Sequence, residues 1–208
     1  MPHFSTSPSA IDLPGPFTHE WLHTRGLRLH AAVAGDPTNP LLLLLHSAFG
    51  GWYDYRNRIA DFADSGYHVA ALDLRGCGLS DKPVRRSGDA LLLHAGDLKG
   101  AIHTLGHDSA EVISAGASTV ITNTLRERSP HLVTRHTSAP WTGSKAAFVP
   151  TALYRHVPAL FDQLWLRDLL RNQPEDATAD HLRLRRDGTH ITNALPYILE
   201  LARIEARM

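Results

Sequence analysis

Ala110 to Pro130 reads A-E-V-I-S-A-G-A-S-T-V-I-T-N-T-L-R-E-R-S-P, and the interpretation of this stretch governs the rest of the chain. A short apolar run, Val112 and Ile113, passes into the small residues Ser114 to Thr119 and then into a segment able to coil as far as Arg128. The expectation is a strand, a tight turn and a helix, with Gly116 at the apex. In an α/β protein such a turn lifts its central residue above the carboxyl edge of the sheet, where the following helix aims free N–H groups at negative charge. Here that residue has no side chain.

Outward from this turn the pattern alternates. Trp21 to Val33 reads as an opening hairpin around Arg25-Gly26, with Leu27, Leu29, Ala31 and Val33 at two-residue spacing. Leu41 to Leu45 is continuously apolar, which suits a strand of a parallel sheet covered on both faces. Trp52 to Ala63 places Trp52, Tyr55, Ile59 and Phe62 on one helical face, and Asp89 to Leu105 does the same for Leu91, Ala95, Leu98 and Ile102. His68 to Leu74 and Leu132 to Ser138 supply two more strands. Strands alternating with helices imply an α/β fold with a mainly parallel, doubly wound sheet. After Pro140 the strand signal stops, and Val157 to Leu170, Thr178 to Arg186 and Asn193 to Arg207 read as helices, the last with Pro196 in its first turn. The expected organisation is a flexible lead over residues 1–20, a sheet-bearing core over 21–140 and a helical, cap-like segment over 141–208.

Composition excludes several classes of function. Lys plus Arg and Asp plus Glu both number 21, so no long-range field favours nucleic acid or anionic lipid. The one cysteine, Cys77, allows no internal disulfide and suits a reducing, cytoplasmic setting. The longest unbroken apolar run, Leu41 to Leu45, is too short to span a bilayer. His19/His23 and His103/His107 have the i, i+4 spacing of metal ligands, the first pair with Glu20 between them as in H-E-x-x-H and the second with no acid between; both pairs read as surface or cap histidines, so neither a metal nor another cofactor is expected. The basic run Leu182 to Arg186 reads as a solvated helix face.

Two blocks carry a resemblance. Leu41 to Arg56, L-L-L-L-L-H-S-A-F-G-G-W-Y-D-Y-R, and Ala71 to Pro83, A-L-D-L-R-G-C-G-L-S-D-K-P, are similar to the α/β-hydrolase superfamily, in its epoxide-hydrolase and haloalkane-dehalogenase-like branch. The likeness covers Trp21 to Pro140 well and the remainder weakly. It implies a nucleophile elbow of the form Gly-x-nucleophile-x-Gly. Counting back from Arg128 and Pro130, Gly116 falls at the nucleophile position, while Ser114 and Ser118 take the places of the flanking glycines. It further implies that the backbone N–H groups of Ala48 and Ala117 form an oxyanion hole and that His46 shapes the loop between them. In that family the catalytic acid and the general-base His follow the cap on two more strands, whereas this chain reaches Met208 still helical.

The resemblance thus leads to a hydrolase by lineage that is inactive as this chain, on an incomplete α/β-hydrolase sheet. Three expectations accompany it. A small hydrophobic ligand would sit between core and cap, strand 132–138 would form an exposed edge for a homodimer or a complementing chain, and Ser114 and Ser118 would splay the elbow. The alternatives are an active hydrolase completed by a partner chain and a decayed gene product. Ser114 or Ser118 could replace the lost nucleophile only with a base beside it, and Asp108 only with a strand before it. Tyr154 and Tyr197 are the cap tyrosines that the resemblance would use, although Ile198 stands at the better-fitting position.

Overall fold

The computed structural model describes residues 6–84, 88–139 and 178–207. Among these residues six strands form one sheet: β1 (Thr18–Thr24), β2 (Leu27–Ala34), β3 (Leu41–Leu45), β4 (His68–Leu72), β5 (Ala110–Ser114) and β6 (Val133–Ser138), in the spatial order β1-β2-β4-β3-β5-β6. The hairpin β1–β2 joins β4 antiparallel, and β4, β3, β5 and β6 run parallel. All five residues of β3 are buried, as its unbroken apolar run requires of a central strand. Five helices accompany the sheet among the described residues: α1 (Ile59–Asp64), α2 (Ala90–Thr104), α3 (Ala117–Arg128), α4 (Ala179–Thr189) and α5 (Leu195–Glu205). None of them is long and apolar enough to cross a membrane.

Three expectations need correction. The lead is not a loose tail throughout, because β1 begins at Thr18 and Ile11 is fully buried, its carbonyl accepting from Trp52 Nε1 at 3.1 Å. Trp52 to Ala63 is not one helix: Trp52–Tyr55 forms a 3₁₀ turn before α1. Trp52 and Tyr53 are both buried, Tyr55 Oη donates to Leu45 O, and the Asp54 carboxylate is also held inside, so successive side chains point inward and the turn tightens. The run Leu182 to Arg186 is only partly a solvated face, since Arg183 and Arg186 are exposed while Arg185 is buried. The helix expected over Val157 to Leu170 and Tyr154 lie outside the described residues.

Residues 178–207 are not a separate unit. Leu184, Ile191, Ala194, Ile198, Leu199 and Leu201 belong to the same continuous apolar core as the sheet. The joint is polar at one point, where Arg185 grips Asp54 with two hydrogen bonds of 2.9 and 2.8 Å and His181 Nε2 lies 2.9 Å from Asp54 Oδ1. Burial alone would raise the Asp54 carboxyl, but Arg185 and His181 outweigh it and hold it at about 2. A second buried carboxylate, Asp73, accepts from Trp52 N–H, Leu79 N–H and His30 Nδ1 at 2.8–2.9 Å, tying the D-x-R-G block to β2 and the 3₁₀ turn.

Removing one partner of a buried pair leaves the other charge without compensation. Asp54→Ala is therefore expected to cost about 3–5 kcal/mol by urea denaturation, and Asp54→Ala with Arg185→Met to regain most of it. Equal stability of the single and double variants would contradict this account.

Candidate active site

The elbow forms as the small residues dictate. β5 ends at Ser114, Gly116 takes φ +56° and ψ −128°, and α3 begins at Ala117. Side chains rarely adopt that backbone region, at a cost of roughly 1–3 kcal/mol, and glycine enters it without a Cβ clash. The serines do not splay the turn. Ser118 Oγ donates to His46 O, and Ser114 Oγ lies 2.7 Å from His136 Nε2 and 3.0 Å from Thr119 Oγ1.

The loop after β3 is fixed by His46. Its Nε2 accepts from Leu74 N–H at 3.0 Å, so the remaining ring proton sits on Nδ1, which donates to Ser47 O at 2.6 Å. Both ring nitrogens are engaged, so this imidazole has no lone pair left to act as a base. Held in this way, the loop turns Ala48 N–H toward the start of α3.

What the two amides meet comes from α5. Glu205 Oε1 accepts from Ala48 N–H at 2.6 Å and from Ala117 N–H at 3.0 Å, and the residue is only 2% exposed. A Cβ on Gly116 would lie 2.2 Å from that same oxygen. The carboxylate thus occupies the volume into which an apex side chain would project, with one oxygen on both donors. Sequence reasoning missed Glu205 entirely. A lone Glu near the end of an amphipathic helix carries no local signal of a partner 88 positions earlier.

The other residues singled out fall as follows. Ser114 gains the neighbour that a substitute nucleophile requires, His136, but it is 0% exposed and shares its hydroxyl with Thr119, so no substrate carbon can reach it. Asp108 lies between α2 and β5 with no strand preceding it. Cys77 is buried, and burial pushes its thiol up, away from a reactive thiolate. His19 bonds to His30 and to Leu13 O, and His107 to His68. Tyr197 Oη donates to Pro83 O while its ring covers Gly76, where a Cβ would lie 1.9 Å from Cγ; Ile198 is buried in the core. His94 on α2 is buried, and neither ring nitrogen has a hydrogen-bond partner among the described residues. Desolvation, helped by Arg75, pushes it down to about 3. A cavity of about 120 Å³ is lined by Leu42, Phe62, Tyr67, Glu111, Ile113 and Arg135 among others, and by none of the elbow residues 114–118.

Comparison with known proteins gives this geometry a context. The family model described as "alpha/beta hydrolase fold" matches residues 40–116. Epoxide hydrolase 4 of Mus musculus is 36% identical over 108 residues, covering 51% of this chain and 30% of the relative. The AB hydrolase superfamily protein YfhM of Bacillus subtilis is 45% identical over 64 residues, 31% of this chain and 22% of the relative. This chain thus spans under a third of these curated relatives. Among solved structures, an epoxide hydrolase from Vigna radiata superposes with a TM-score of 0.75 at 16% identity, covering 91% of this chain and 72% of that one. At that identity the likeness is one of fold.

Two predictions follow from the geometry. Gly116→Asp forces a side chain into Glu205's place and into a strained backbone region, and is expected to cost about 3–5 kcal/mol. Glu205→Ala leaves two buried donors without their acceptor, at about 2–3 kcal/mol. An aspartate at 116 can take up those donors once Glu205 is gone, so the double variant should be more stable than the sum of the single losses by at least about 1 kcal/mol. Simple additivity in urea denaturation would refute the shared volume.

The second concerns pH. His94 is neutral when folded down to about 3, whereas in the unfolded chain it takes a proton near 6.5. The unfolded state therefore binds more protons across that interval, and stability falls as pH drops from 6.5 toward 3. His94→Leu should remove up to about 1.4 kcal/mol per pH unit from the slope between pH 4 and 6. An unchanged slope would show that His94 is not buried neutral.

Proposed function

Because this chain belongs to the α/β-hydrolase superfamily, in its epoxide-hydrolase-like branch, we propose that it is a hydrolase by descent that no longer turns over ester or epoxide substrates. The observation that carries this reading is the apex. An elbow attack needs a side-chain oxygen or sulfur, Gly116 has neither, and Glu205 occupies the oxyanion donors that would stabilise the developing charge. His46 has both nitrogens engaged and His94 is pushed down to about 3, so neither of these buried imidazoles is available as a base at neutral pH. Of the parts of an elbow-type site, the described residues keep the backbone donors and the path of the turn.

A second reading is favoured by the sheet order. β6 is the outer strand and pairs only with β5 among the described residues, which leaves its far edge open to a strand from another chain. On that reading a homodimer or a complementing chain supplies the reactive groups.

One experiment separates the two. Hydrolysis of a p-nitrophenyl ester and of styrene oxide is followed across a wide range of protein concentration, with size-exclusion chromatography in parallel. The expected result is no turnover above buffer at any concentration. Turnover that rises more steeply than protein concentration, together with a dimer, supports the second reading. Turnover strictly proportional to the concentration of a monomer overturns both.

A further inference from the structure

We infer that the two amides of the elbow form a carboxylate receptor, that Glu205 is its resident ligand, and that a small monocarboxylate from solution competes with Glu205 for it. The inference deepens the non-catalytic reading and rests on it, since it gives the emptied apex a ligand class. The donors come from separate segments: Ala48 from the loop after β3 and Ala117 from the first turn of α3, where unpaired N–H groups and the helix dipole favour an anion. They converge on one oxygen at 2.6 and 3.0 Å, within the range of charge-assisted hydrogen bonds.

The second observation is what sits there. Glu205 is a carboxylate, 2% exposed, brought to Ala48 from 157 positions away. A buried carboxylate is costly unless charged or dipolar donors replace its water, so its presence marks the amides as a site that offsets desolvation for this chemical class. The apex is shaped to match. Gly116 leaves the carboxylate its room, because any Cβ would lie 2.2 Å from Oε1 and 2.7 Å from Cδ. Glu205 is the last residue of α5, which also holds the core through Tyr197 Oη on Pro83 O and through the buried side chains of Ile198, Leu199, Leu201 and Ala202. Displacing Glu205 therefore acts on the end of the helix while its middle stays attached.

An intramolecular ligand competes at an effective concentration on the order of millimolar or more, so the site in the intact chain should look weak to added carboxylate and strong once Glu205 is removed. The test is a titration of the ¹⁵N-labelled full chain with sodium formate at constant pH and ionic strength, with sodium chloride as control, reading the Ala48 and Ala117 amide resonances. In Glu205→Ala both resonances should move downfield saturably with formate and not with chloride. In the unmodified chain the same two should need at least about tenfold more formate, with Glu205→Gln between them. No response at either amide in a folded Glu205→Ala protein overturns the inference, as does an equal response in the unmodified chain. If Glu205→Ala does not fold, Glu205→Gln carries the test: its two amides must respond at lower formate than the unmodified chain, and failure to do so overturns the proposal. No hydrolysis is measured, so a failed titration leaves the non-catalytic reading intact, and turnover by the unmodified chain would remove that reading whatever the titration shows.

Discussion

A carboxylate on two backbone amides organises this molecule. The turn at residues 114–118 leaves an N–H with no intrahelical partner at the start of its helix, and the loop after the central strand turns a second, that of Ala48, toward the same point. In a buried setting those donors require an acceptor, and leaving them bare costs about 1–3 kcal/mol each. Glu205 meets both with a single oxygen. That requirement in turn constrains position 116 to glycine, fixes where α5 ends and sets how closely the C-terminal residues press on the sheet.

The same logic recurs at two other points. Asp73 gathers Trp52 N–H, Leu79 N–H and the His30 ring, and Asp54 gathers Arg185 and His181. In each case a buried acid joins segments far apart in sequence and is outweighed by its donors, so its carboxyl stays below the ordinary range. The apolar core supplies most of the stabilisation, and it would tolerate small slides of helix against sheet. The acids remove that freedom, because a hydrogen bond to a carboxylate loses strength within a few tenths of an ångström and a few tens of degrees. Fold and site are held in register by these three carboxylates.

Much of this was legible beforehand, for identifiable reasons. Leu41 to Leu45 announces a central strand because only a strand covered on both faces tolerates five consecutive leucines, and the strand–turn–helix around Gly116 follows from a run of small residues between two apolar stretches. The amides of Ala48 and Ala117 could be named from the family resemblance, since backbone donors depend on the path of the chain and survive changes of side chain. Glu205, Arg185 and His136 could not. A glutamate or an arginine on an amphipathic helix has the same local pattern whether it faces water or a buried partner more than a hundred residues away. Only tertiary packing decides between those outcomes. Trp52 to Ala63 failed differently: its periodicity was helical, but three inward-facing aromatic side chains and a buried aspartate within four residues exceed what one face of an α-helix can present.

The distance along the chain between Ala48 and its acceptor bears on how the protein is born. Synthesis proceeds from the N-terminus at roughly 5–20 residues per second, so the loop and the elbow leave the ribosome several seconds before Glu205 is made. During that interval the growing chain lacks the one carboxylate that holds both donors together in the folded protein, so the elbow and the loop reach their final register only after α5 has been made.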